Sequence, residues 1–162
     1  MALETYTLLH VVISLAGIAS GLVLAIGLLR SKRLDAWTGL FLGTTVATSS
    51  TGFGFPFDHI LPSHIVGAIS LVVLAVAIFA RYAGHLRGGW RLTFVITAML
   101  AFYFNVFVLV VQLFQKVPAL KAMAPTQSEP PFLIAQGLVL VAFIVAGYLA
   151  VKRFHPSVAL AT

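Results

Sequence analysis

Polar and charged residues fall in short intervals along this chain, and between them it runs apolar for about twenty residues at a time. Five such segments stand out: 7–29, 38–57, 64–82, 92–115 and 132–151. Each is near the ~20 residues that a helix needs to cross ~30 Å of hydrocarbon at 1.5 Å per residue. No Asp, Glu, Lys or Arg lies well inside any of them. Alternation at period two is absent, and helices satisfy their own backbone polar groups in lipid. The pattern therefore predicts an all-α, polytopic transmembrane bundle of five spans.

The second segment is the least apolar. It holds Thr38, Thr44, Thr45, Thr48, Ser49, Ser50 and Thr51, and it ends in Gly52-Phe53-Gly54-Phe55-Pro56. It reads either as a full span or as a re-entrant hairpin, and the charges decide between them. With five spans, Arg30, Lys32, Arg33, Arg81, Arg87, Arg91, Lys152 and Arg153 share one side, and only Lys116 and Lys121 lie on the other. A re-entrant second segment would divide the ten cations evenly. The positive-inside rule thus favours five spans with the N-terminus outside and the C-terminus inside. Trp37, Tyr82, Trp90 and Tyr148 then fall near the cytoplasmic interface, as an aromatic belt.

The composition agrees. The chain has 162 residues, 60% apolar and only 9% charged, whereas soluble domains carry about 25% charged residues. That length predicts a single integral membrane domain over residues 1–162. With no cysteine, thiolate metal sites and disulfides are excluded. The leading residues, with Glu4 and no Lys or Arg, do not resemble a cleaved signal peptide. The net charge of +6 sits in short loops beside the membrane, so anionic lipid is the expected partner and nucleic acid is not.

Helices in lipid associate through small residues and polar contacts. Ser14, Gly17, Gly21 and Ala25 recur at helical spacing in the first span; Gly39, Gly43, Ala47, Ser50 and Gly54 do so in the second, and Gly67, Ser70 and Ala77 in the third. All three stripes are expected to face inward. The second is also a GxxxG pattern that can pair two copies of the chain. In the fourth span, Thr93, Thr97, Ala101, Asn105, Gln112 and Gln115 share one face, and Asn105 lies near mid-membrane. Such a stripe either bonds the hydroxyls of the second span or lines a ligand pathway.

Candidate chemistry gathers at the outer boundary. His10 is in register with Ser14 and Gly17, and His64 with Gly67 and Ser70, so both imidazoles are expected to point inward. Gln112 and Gln136 lie at similar depth, and Asp58, His59 and Glu129 occupy the adjoining loops. Neutral imidazole binds haem iron and other metals, and it hydrogen-bonds quinones. His10, His64, Gln112 and Gln136 are therefore the candidate cofactor-binding residues, and His10, His59, His64 and Asp58 the candidate metal ligands. Ser50, Thr51 and Asn105 are candidate polar lining. His85 and His155 lie in the basic loops and read as solvated.

Ser50-Thr51-Gly52-Phe53-Gly54 resembles the carbonyl-lined filter of potassium channels, a reading that requires the re-entrant geometry. Residues 51–57 and 124–132 resemble segments of small bacterial inner-membrane proteins without an assigned activity. That resemblance implies a multi-pass helical bundle in a bacterial cytoplasmic membrane and brings no catalytic role. The loop 116–131 contains four prolines and is expected to form a fixed cap. No nucleophile–base pair and no inward pair of carboxylates is identifiable, so no catalytic residue is assigned and an autonomous enzyme is the weakest class. The leading expectation is a membrane protein with an outward-facing polar pocket for haem, a metal ion or a quinone. The alternatives are a small-solute transporter component and an accessory subunit or homo-oligomer of a larger membrane assembly.

Overall fold

The computed structural model describes residues 2–56 and 62–156, and all of their regular structure is helical. The helices are α1 (Ala2–Leu29), α2 (Asp35–Gly52), α3 (Pro62–Ile78), α4 (Gly89–Lys116), α5 (Pro118–Met123) and α6 (Pro130–Arg153). A π-helical turn, Phe79–Ala83, continues α3. Four helices are long and apolar enough to cross a membrane: α1 from Leu3, α3 with its π turn from His64, and the whole of α4 and α6, with mean hydropathies of 2.3 to 2.5. The remaining long helix, α2, is also formed, but its 18 residues carry the seven hydroxyls and it lacks the apolarity of a span.

Local chemistry explains the boundaries. Pro118 and Pro130 open α5 and α6, where a missing N–H costs nothing. Ser31 turns the chain between α1 and α2 at φ 54°, and Lys32 N–H bonds back to Gly27 O at 2.8 Å. Gly88 precedes α4 at φ 51° and ψ −127°, a conformation closed to residues with a Cβ.

The helices form a ring in chain order, α1 against α2, α2 against α3, α3 against α4, α4 against α6, and α6 back against α1. Helix α4 also touches α1 across the middle. Packing is uneven along the bundle axis. Toward the basic end Leu24, Leu28, Phe41, Leu74, Phe94 and Phe102 form a closed core. Three contacts hold that end together: Arg81 to Asp35, Arg91 Nη1 to Phe154 O at 2.7 Å, and His155 N–H to Ser31 Oγ at 2.9 Å. Arg81 is only 3% exposed, because the π turn carries it inward onto the face of Phe94, 5.2 Å away. At the opposite end none of residues 3–16 of α1 is buried, and α4 has no buried residue between Phe102 and Phe114.

The small-residue stripes divide. Gly17 faces Thr44, Thr45 and Asn105, and Gly21 lies directly against the ring of Phe102, so the α1 stripe is an inward face. The α2 stripe is not. A Cβ on Gly43 would meet nothing within 4 Å, Ser50 is exposed, and α2 buries Thr38, Phe41, Leu42, Thr45 and Ser49 instead; only Gly54, beyond the helix end, lies against α1, at Tyr6. The reason is size: Phe41 fills core volume between α2 and Phe102, their rings 6.1 Å apart, and that turns the glycine face outward.

The 116–131 loop folds as a small cap. Phe114, Ala124 and Phe132 form its own apolar cluster at the ends of α4 and α6. Glu129 fastens its turn, accepting hydrogen bonds from Thr126 N–H at 3.1 Å, Thr126 Oγ1–H at 2.8 Å and Ser128 N–H at 3.1 Å.

Candidate functional site

Where the core packing stops, the four helices α1 to α4 line an open cavity of about 510 Å³ at the end remote from the basic cluster. Its walls are mostly apolar: Val11, Leu15 and Ile18 on α1, Val66 on α3, and Phe104, Val108 and Leu109 on α4. Polar groups come from every wall. His10 and Ser14 lie on α1, Thr48 and Ser49 on α2, His64 and Ser70 on α3, and Asn105, Gln112 and Lys116 on α4.

His10 is held by Thr51 and Phe55. Its Nδ1 is 2.8 Å from Thr51 Oγ1, its ring meets Phe55 edge-on at 5.1 Å between centroids, and Tyr6 packs on the same Phe55 at 5.0 Å. The Tyr6 hydroxyl also donates to Thr51 O at 2.6 Å, tying the start of α1 to the end of α2. His64 is 9% exposed and stacks on Phe53 at 5.6 Å. The aromatic residues after α2 thus seat both imidazoles, Phe55 on His10 and Phe53 on His64.

Asn105 donates from Nδ2 to Thr45 Oγ1 at 3.0 Å, so the interhelical bond to an α2 hydroxyl is made. Ser49 Oγ–H donates to Ser70 Oγ at 3.2 Å and joins α2 to α3. Thr48 Oγ1 is buried and has no hydrogen-bond partner among the described residues. A buried polar atom without a partner costs free energy.

Several expected residues fall elsewhere. Gln136 is directed to α4, where its Nε2 donates to Phe107 O at 3.2 Å, and it is not in the cavity wall. Ser50 is exposed and turned away; Thr48 and Ser49 take the lining role on α2. Thr51 acts through His10. Asp58 and His59 lie outside the described residues. Among the described residues no three His, Asp or Glu side chains converge for a metal ion. The segment Ser50–Gly54 is not an extended filter: it is the end of α2 and the tight turn that follows, with Phe53 N–H bonded to Ser50 O and Gly54 N–H to Thr51 O.

Two features had no clear signal in the pattern. Lys116 reaches the cavity although it reads as a loop cation, and the Arg81–Asp35 pair joins residues that each look like topology charges.

Four apolar helices of spanning length in an all-helical bundle define a membrane protein. No protein-family model, no curated protein and no solved structure matches the chain.

Proposed function

We propose that this is a multi-pass protein of a bacterial cytoplasmic membrane that holds a lipid-soluble molecule of the quinone class in the cavity between α1 and α4. In this reading α2 is a fifth crossing, the N-terminus is outside and the C-terminus inside, and the cavity opens toward the outer surface. The split of eight cations against two supports that orientation. The observation that carries the ligand reading is the cavity itself. Its 510 Å³ lies within the range of about 300–1,000 Å³ typical of small-molecule sites, and convergent polar groups interrupt apolar walls. An amphipathic molecule with a small polar head and an apolar tail matches that division.

Protein purified in mild detergent and extracted with organic solvent should yield a quinone-type lipid enriched over the bulk membrane extract. Ser14→Phe, which fills the cavity, should abolish the enrichment. No enrichment, or the same enrichment in the filled variant, overturns the proposal. A second reading rests on one observation, that His10 and His64 on separate helices line the same cavity. A haem held by them would show a Soret band in the same preparation, and a colourless sample removes that reading. A transporter needs a path through the other half of the bundle, where Phe41 and Phe94 are 0% exposed and close the core.

A further inference from the structure

The heavy-atom distances around His10 point to one of its two neutral tautomers. Thr51 Oγ1 lies 2.7 Å from Ala47 O and 2.8 Å from His10 Nδ1. Two acceptor atoms do not approach that closely unless a hydrogen lies between them. A hydroxyl supplies one hydrogen, a carbonyl none, and an imidazole nitrogen one. Ala47 O must therefore receive the Thr51 proton, with Thr48 O at 3.2 Å as the neighbouring acceptor on the same helix. The hydrogen in the second contact then comes from the ring: His10 Nδ1–H donates to Thr51 Oγ1. In the neutral imidazole this leaves Nε2 as a lone-pair acceptor. Phe55 against the ring, and Tyr6 bonded to Thr51 O, hold that arrangement in place before any ligand arrives.

An acceptor of this kind discriminates between the two redox forms of a quinone. The oxidised ring presents only carbonyl oxygens, which face a lone pair without a proton between them. The reduced ring presents phenolic O–H groups, one of which can donate to Nε2. We infer that the cavity selects a quinol, a reduced, hydroxyl-bearing aromatic head that donates to His10 Nε2, with Gln112 and Lys116 on the α4 wall as donors to its other oxygens. This inference rests on the reading of the cavity as a quinone-class site. It concerns binding alone, and no electron transfer is part of it.

The test uses the full-length protein in nanodiscs under anaerobic conditions at pH 7.5, titrated with a short-tailed benzoquinol and separately with its benzoquinone. The reduced form should bind at least about tenfold more tightly, the cost of one mismatched buried hydrogen bond. Thr51→Val keeps the volume but removes the oxygen that accepts Nδ1–H. The preference should fall to within about threefold, while affinity for the oxidised form is retained or improved. Equal affinity for both forms in the unaltered protein, or preference for the oxidised one, overturns the inference and leaves the quinone-class site standing. Full preference retained in Thr51→Val overturns the tautomer argument. Neither form binding, in protein with an intact near-ultraviolet dichroism spectrum, overturns both.

Discussion

Replacing Gly21 by alanine tests whether the basic half of the bundle is as closely packed as its geometry requires. A Cβ on Gly21 would stand 2.5 Å from Cδ2 and 2.8 Å from Cε2 of Phe102. Carbon atoms prefer about 3.5–4.0 Å, so the overlap is on the order of 1 Å. The ring has little room to yield. Phe102 is 6% exposed and lies edge-on against Phe143 at 5.0 Å and Phe41 at 6.1 Å, which is itself fully buried. Forcing an added methyl into a filled core typically costs about 1–3 kcal/mol, or roughly 5- to 150-fold in the folded population. The matched control is Gly43→Ala, where the new methyl meets nothing within 4 Å and helix propensity gives at most about 1 kcal/mol in its favour. Equilibrium unfolding in mixed micelles should therefore separate two identical chemical changes by about 1–3 kcal/mol or more. Adding Phe102→Leu should recover part of the Gly21→Ala loss, because the smaller side chain vacates the space. Equal stability of the two alanine variants would refute the packing argument.

Other perturbations report on other parts of the fold. Asp35→Asn leaves the Arg81 guanidinium buried without its counter-ion and should destabilise by about 1–3 kcal/mol, less than for a fully buried pair because Asp35 is 65% exposed. Arg81→Met should cost less than Asp35→Asn, and the reverse order in unfolding measurements would contradict the buried-charge reading. A double-mutant cycle of Asn105→Leu with Thr45→Val should return a coupling of about 0.6 kcal/mol and no more than about 1.7 kcal/mol, as for polar bonds between membrane helices; zero coupling would remove that bond. Desolvation pushes the Glu129 carboxyl up, but the Thr126 hydroxyl and the backbone N–H groups of Thr126 and Ser128 outweigh it and hold it below its ordinary value. A depressed carboxyl stabilises the cap above the unfolded value near 4.5 and loses that effect as the pH falls through the folded value. Amide-exchange protection at 126–129 should accordingly be constant near neutrality and fall only under acid conditions, and Glu129→Gln should flatten that dependence.

Much of the fold was legible because a membrane helix declares itself by length and apolarity, both of which are local. Helices α1, α4 and α6, and α3 together with its π turn, cover the segments expected of them, and α2 begins three residues early and ends at Gly52. What a helix turns toward its neighbours is not local. The Gly39–Gly43 spacing on α2 fits an inward face as well as an outward one, and the volume of Phe41 decided the rotation. Gln136 was placed at a correct depth but on the wrong neighbour, since periodicity in α6 cannot say whether α4 or the cavity lies opposite. His10, His64 and Gln112 line the cavity, and each shares register with a residue that lines it too: Ser14, Ser70 and Asn105. Arg81 was hidden because a π turn shifts the residues after it around the helix, and no glycine or proline within Phe79–Ala83 announces one.

Binding of a quinone-class ligand requires a cavity that is open at the end away from the basic cluster. The chain has no cysteine, so Gln112→Cys creates a unique thiol in the wall beside Lys116. In right-side-out vesicles a membrane-impermeant thiol reagent should label it, and prior loading with the short-tailed quinol should slow the labelling. A matched Phe94→Cys, in the closed core, should remain unlabelled. Failure to label the Gln112→Cys protein from outside, or labelling unaffected by the quinol, would contradict an outward-opening cavity that binds this class of ligand.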